Sequence, residues 1–295
     1  MPRWLIWTLL TLLLWGLWGF LSKVVGDRLT AEHCQAISTL GMIPVLSVIG
    51  ISPATWLSQG PRRAIRRGDL LAFGGGLVSC LGSIAFFGVL AGGAKAATAI
   101  SLTALAPLIT VVLALPILHE RLNRIQWTGI VLSVAAFYFL NVRSEEGILS
   151  RWLLQAMVPI LLWGVAGLFQ KMATNSISGL RSAFWFLMAF IPIGLFIVVR
   201  HPLTNMIPRE GWLSGVAVGF FLALGNVTIL FAFASDGKAS VIAPLAGLYP
   251  LVSIPLAMWL LHERLTGRES IGIAMALAAV VALCWESPRS EPPSP

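Results

Sequence analysis

Apolar residues run along this chain in long blocks separated by short polar gaps. Ten blocks stand out: Trp4–Val24, Cys34–Ser52, Leu70–Ala91, Ala96–Leu118, Ile125–Asn141, Trp152–Ala173, Ser182–Val199, Gly211–Ala234, Ala239–Leu261 and Ser270–Trp285. Most are near the ~20 residues that cross ~30 Å of hydrocarbon at 1.5 Å per residue, so each predicts a membrane-spanning helix. The alternation of apolar and polar positions that a barrel strand needs is absent. The first block is longer than the roughly 7–15 apolar residues of a signal peptide, and no small-x-small cleavage site follows it. It is expected to be a retained span.

The blocks say the same thing twice. Gly92–Ile130 aligns with Ser235–Ile273 at an offset of 143 residues, with 15 of 39 positions identical. The identities include Lys95/Lys238, Pro107/Pro250, the run His119-Glu120-Arg121-Leu122 against His262-Glu263-Arg264-Leu265, and Gly129/Gly272. Upstream, Leu13-Leu14-Trp15-Gly16-x-x-Gly19-x-x-x-Lys23 matches Leu161-Leu162-Trp163-Gly164-x-x-Gly167-x-x-x-Lys171 at an offset of 148. Two homologous apolar halves are the pattern of a secondary transporter. Residues 1–147 form the first expected five-helix repeat and residues 148–286 the second. The Pro/Ser-rich tail 287–295 is expected to be disordered.

Composition narrows the class. Apolar residues make up 57% and charged residues 11%, against roughly 45–50% and 25% in an average soluble domain. A chain this poor in charge belongs in a bilayer. The net charge of +8 does not point to nucleic acid, because the arginines sit in the gaps between spans, as membrane topology requires. Cys34, Cys80 and Cys284 lie inside apolar blocks without CxxC spacing and read as packing residues. The four histidines lie at span ends or in loops, and no cluster has metal-ligand spacing. No cofactor is expected.

Five spans per half is an odd number, so the second half enters the membrane reversed. The expected fold is all-α, ten transmembrane helices as two inverted five-helix repeats. The cluster Arg62–Arg67 is costly to translocate, which places both termini in the cytoplasm. The membrane is expected to be the plasma (inner) membrane. Asn123-x-x-Gln126 and Thr266-x-x-Glu269 have capping-box form before equivalent helices. Gly211, Gly215, Gly219 and Ala223 form one small-residue ridge, and Gly75, Ser79 and Ser83 another, where helices can approach closely or a cavity can open.

The tryptophan-glycine pattern of the first span, Ala104-Leu-Ala-Pro107 running on to His119-Glu120-Arg121-Leu122, and its copy Gly247-Leu-Tyr-Pro250 to His262-Glu263-Arg264-Leu265 together resemble the EamA-type members of the drug/metabolite transporter superfamily. The resemblance covers nearly the whole chain. It implies ten helices, an inverted repeat and a central substrate cavity working by alternating access, often for export of small metabolites. Lys95 and Lys238 depart from it, since many relatives carry small or polar residues there.

Such a carrier holds its site near the midplane, between the repeats. Counting from span ends puts Cys80 and Ala106 there, together with the candidate contacts Trp15, Ser79, Ser83, Trp163, Asn226 and Tyr249. Trp15 and Trp163 are equivalent positions and read as core packing or as flat amphipathic walls with an N–H donor. Asn226, equivalent to Ser83, either bonds another helix or faces a wet cavity. Tyr249 lies beside Pro250, which kinks a helix and frees a carbonyl. Lys95 and Lys238 open the fourth and ninth spans, as snorkelling anchors or as entrance cations for an anionic substrate. All eight are candidate substrate contacts. Glu120 and Glu263 are expected to serve helix ends, and Arg62–Arg67 to set topology, with anionic lipid a lesser use.

No Asp or Glu lies within the ten cores, which weakens a carboxylate proton relay. A membrane-embedded enzyme acting on lipid would need a nucleophile with its base, a metal site or paired carboxylates, and none is visible. A non-transporting accessory subunit would have no use for an inverted repeat. The expectation is a non-enzymatic carrier of a small molecule such as an amino acid, in contact with membrane lipid and no nucleic acid, as a monomer or homodimer.

Overall fold

The computed structural model describes residues 2–57, 60–118, 122–140, 151–203, 207–235 and 238–285. His119, Glu120, Arg121, Asn141, Asp236 and the tail 287–295 lie outside the described residues, so the first copy of the His-Glu-Arg motif is seen only at Leu122.

Every regular element described is a helix. The first half holds α1 (Arg3–Gly26), α2 (Ala31–Ile51), α3 (Pro53–Trp56), α4 (Arg62–Ala91), α5 (Ala96–Thr103), α6 (Ala106–Ile117) and α7 (Arg124–Leu140). The second holds α8 (Arg151–Thr174), α9 (Gly179–Met188), α10 (Phe190–Arg200), α11 (Arg209–Ala234), α12 (Ala239–Ala246), α13 (Pro250–Leu260) and α14 (Gly267–Cys284). Among the described residues, eight helical stretches are long and apolar enough to cross a membrane, three of them the joined pairs α5–α6, α9–α10 and α12–α13, and α7 is a shorter apolar helix.

Proline chemistry explains two of the joins. Pro107 and Pro250 have no N–H to give and clash with the preceding turn. The fourth and ninth spans therefore break just before them, at Ala104–Leu105 and at Gly247–Tyr249. Tight turns bridge the breaks, with Leu108 N donating to Leu105 O at 2.9 Å and Leu251 N donating to Leu248 O at 2.9 Å. Where the sequence predicts kinks, the helices stop and restart.

The helices pack so that exchanging the halves maps contact onto contact. α4 lies on α8 and α1 on α11, α6 on α8 and α1 on α13, and α7 on α14. The Trp-Gly-x-x-Gly pattern supplies the close approaches. A methyl on Gly16 would strike Val252 of α13, and one on Gly164 would strike Ile109 of α6. The approach lets Ser253 Oγ donate to Gly16 O at 2.7 Å and Thr110 Oγ1 donate to Gly164 O at 2.8 Å. These are the same bond made twice across the repeat boundary. The ridge on α11 packs likewise, with Gly219 against the Ser38 carbonyl of α2 and Gly215 against Ile37.

Both expected capping boxes form. Thr266 and Glu269 exchange bonds at the start of α14. Asn123 Oδ1 accepts from Gln126 N at 2.9 Å and Gln126 Oε1 accepts from Asn123 N at 3.0 Å at the start of α7. Helix α4 begins eight residues before its apolar block, because the arginine-rich segment is helical although polar; arginine has high helix propensity.

Candidate functional site

Between the halves lies an internal cavity of about 90 Å³. By this measure a single water needs roughly 10–15 Å³, so several would fit. Its walls come from α1 (Trp15, Trp18), α4 (Ser79), α5 and α6 (Thr103, Thr110), α8 (Trp163, Gln170), α11 (Leu222, Asn226) and the ninth span (Gly247, Tyr249). None of the described lining residues is charged.

The aromatic walls form one cluster. Trp18 meets Trp163 edge-on at a centroid distance of 5.5 Å and Tyr249 at 6.2 Å, and Trp15 stands edge-on to Tyr249 at 6.3 Å. The geometry follows from glycines on the facing helices. A methyl at Gly82 would come within 2.7 Å of the Trp163 indole, and one at Gly225 would strike the Trp15 indole. Each tryptophan therefore sets the Cδ1–Nε1 edge of its indole into a notch in the opposite repeat.

The polar groups are arranged less evenly. Trp163 Nε1 donates to Ser79 O at 3.1 Å, an oxygen that also accepts from Ser83 Oγ at 3.1 Å. In the other half the carbonyl equivalent to that of Ser79 belongs to Leu222. It accepts from Asn226 Nδ2 at 2.9 Å. Trp15 Nε1 is buried and has no hydrogen-bond partner among the described residues, and neither has Trp18 Nε1. A buried donor without an acceptor costs about 1–3 kcal/mol. Gln170 Nε2 donates to Asn226 Oδ1 at 3.2 Å, tying α8 to α11. Tyr249 Oη and Thr103 Oγ1 share a bond at 3.1 Å.

Of the eight candidate residues, the structure brings five to this cavity: Trp15, Ser79, Trp163, Asn226 and Tyr249. Asn226 does both things expected of it as alternatives, bonding another helix and lining the cavity. Ser83, Lys95 and Lys238 do not line it. Ser83 stands behind Ser79. Lys238 immediately precedes α12. Lys95 is committed at a helix end, its Nζ donating to Glu269 Oε2 at 2.7 Å and to Arg264 O at 3.0 Å.

That helix end explains the second copy of the motif. Glu263 accepts from Ala96 N at 2.7 Å and from Ala97 N at 3.0 Å, the first free N–H groups of α5. It caps a helix of the other repeat, against the helix dipole. The helix-end role expected of Glu263 is met at the start of a helix in the other repeat. His262 makes the turn with φ at 53°, in the left-handed region. Thr98 Oγ1 donates to Glu269 Oε1 at 3.0 Å, completing the cluster.

Sequence reasoning missed Trp18, Thr103, Thr110 and Gln170. Trp18 had a signal, since it follows Trp15 by three residues and shares its face of α1. Gln170 had one too, as an amide three residues past Gly167. The hydroxyls of Thr103 and Thr110 had none, because small polar residues are common in packed spans. Among the described residues no group of His, Cys, Asp or Glu is close enough to hold a metal.

Comparison with known proteins agrees with this architecture. A family model described as "EamA-like transporter family" matches residues 2–142 and again 150–285. An uncharacterised protein of Methanocaldococcus jannaschii is 24% identical over 101 residues, covering 34% of this chain and 73% of that protein. A solved crystal structure superposes with a TM-score of 0.67 at 17% identity, covering 94% of each chain, a likeness of fold alone.

Proposed function

The chain belongs to the EamA-like transporter family, and from that premise we propose that it is a secondary transporter exporting a small amphipathic metabolite by alternating access. In this reading α7 and α14 are the fifth and tenth spans, so ten helices form two inverted repeats. Both termini face the cytoplasm of a plasma membrane, with the arginines that open α4 on that side. The substrate sits against Trp15, Ser79, Trp163, Asn226 and Tyr249.

The observation that carries the proposal is the unpartnered Trp15 indole N–H on a cavity built from both repeats. The rings offer apolar faces, and the free donor offers a hydrogen bond to a carbonyl or carboxylate oxygen of the solute. The bond from Gln170 to Asn226 fixes α8 against α11 beside it. The breaks at Ala104–Leu105 and Gly247–Tyr249 supply hinges next to the cavity, where few backbone dihedrals need change to open one mouth and close the other.

The test begins with metabolite profiles of cytoplasm and medium from cells with and without the protein. At least one small solute should accumulate in the medium only when the protein is present. Trp15→Phe, expressed to the same level, should reverse that accumulation. Identical profiles with and without the protein would reject the transport reading.

A further inference from the structure

The first turns of α4 carry a second built surface, far in chemistry from the cavity. Arg63, Arg66 and Arg67 share one face with Leu70 and Leu71 a turn farther along, and with Phe169 of α8 they line a surface groove of about 390 Å³. All three arginines are exposed and Leu70 is 63% exposed. Among the described residues none of the three forms an ion pair. The acidic residue of that stretch, Asp69, is occupied by Arg181, whose Nε and second terminal nitrogen each donate to it at 2.7 Å.

Charge alone would suffice to set topology, with no apolar floor beneath it. Here three exposed arginines line an apolar trough at the start of a helix long and apolar enough to span a membrane. That is the shape of an amphiphile with an anionic head. The uncapped start of α4 adds its positive end to the same place. Helix α11, which opens on Arg209-Glu210, carries no such cluster, so the surface belongs to one membrane face only.

We propose that this groove binds an anionic phospholipid, with its phosphate among Arg63, Arg66 and Arg67 and an acyl chain over Leu70, Leu71 and Phe169. Arginine suits the task because its planar fork pairs with two phosphate oxygens.

The test uses purified full-length protein in a neutral detergent, with dansyl-labelled phosphatidylglycerol as the probe. Unlabelled phosphatidylglycerol should displace it, whereas phosphatidylcholine or inorganic phosphate should not. The triple variant R63Q/R66Q/R67Q should bind about a hundredfold more weakly, at roughly fivefold per arginine. Should that variant insert poorly, the charge-preserving R63K/R66K/R67K should stay within about tenfold of wild type. Phe169→Ala, which alters no charge, should weaken the probe several-fold. The proposal is overturned if phosphatidylcholine competes equally, if inorganic phosphate displaces the probe, or if the triple Gln variant binds as wild type does. Unchanged affinity in Phe169→Ala would overturn the acyl-chain assignment.

Discussion

Trp163 and Trp15 stand at equivalent turns of α8 and α1, each set by its indole edge into a glycine notch of the opposite repeat, yet they differ in one bond. Trp163 gives its N–H to the Ser79 carbonyl at 3.1 Å. The carbonyl that would serve Trp15 is held by Asn226 at 2.9 Å. Ser83, at the position equivalent to Asn226, also bonds its carbonyl, but a hydroxyl is small enough to leave room for the indole. The longer amide takes the carbonyl and spans to Gln170. Within a duplicated frame, then, the half that carries Ser83 satisfies its facing indole, and the half that carries Asn226 leaves its facing indole free. Symmetry builds the cavity, and its local failure leaves an unpartnered donor on the cavity wall.

If the frame is shared, damage to it should be equal in the two halves. Gly16→Leu and Gly164→Leu drive a side chain into Val252 and Ile109 respectively. Both should abolish monodisperse protein on size-exclusion chromatography. Tolerance of one and not the other would break the equivalence. Next in size is the helix end where the halves already differ, since Glu269 corresponds to the neutral Gln126. Glu269 is 3% exposed and holds Lys95, Thr98 and Thr266. Glu269→Gln should cost about 2–3 kcal/mol in unfolding experiments, in line with a lost hydrogen-bonded charge. Lys95→Gln should cost less, because that side chain is 38% exposed, and the double variant should be no worse than Glu269→Gln alone. Additive losses would mean that the two groups act independently. Gln126→Ala should cost about 1 kcal/mol, the worth of a helix cap. Smallest is Trp163→Phe, which removes one backbone hydrogen bond and should cost about 1 kcal/mol of stability with transport retained.

Much of this architecture was legible in the residues. The spans follow from hydrophobic length, the breaks from Pro107 and Pro250, and the frame from the doubled Trp-Gly-x-x-Gly pattern. Depth counting reached Trp15, Trp163, Ser79, Asn226 and Tyr249, because residues that share a depth in opposed repeats must face one another. It failed for Ser83, which does not line the cavity, and it says nothing of Lys95, whose partner Glu269 lies 174 residues away and cannot be inferred from a periodic pattern. For Glu263 the residues gave the helix-end role but not the helix, because a carboxylate can cap any helix start within reach. Trp18 and Gln170 were legible but overlooked, each three residues beyond a residue of the Trp-Gly pattern. The extent of α4 was hidden because apolar blocks report burial in lipid, whereas the arginine-rich turn is held by backbone bonds alone.

The central claim is that the free Trp15 N–H binds the solute. Export of the metabolite identified by profiling should be measured in vesicles for Trp15→Phe, Trp163→Phe and Asn226→Ser at matched protein amounts, alongside thermal unfolding. Trp15→Phe removes the donor, and Asn226→Ser returns the Leu222 carbonyl to it. Both should lower export about three- to tenfold, the worth of one hydrogen bond; Trp15→Phe should do so without lowering stability, and Asn226→Ser with the stability cost of losing the Gln170 bond. Trp163→Phe should export like wild type. Equal loss in both tryptophan variants, or loss in Trp163→Phe alone, would contradict the account.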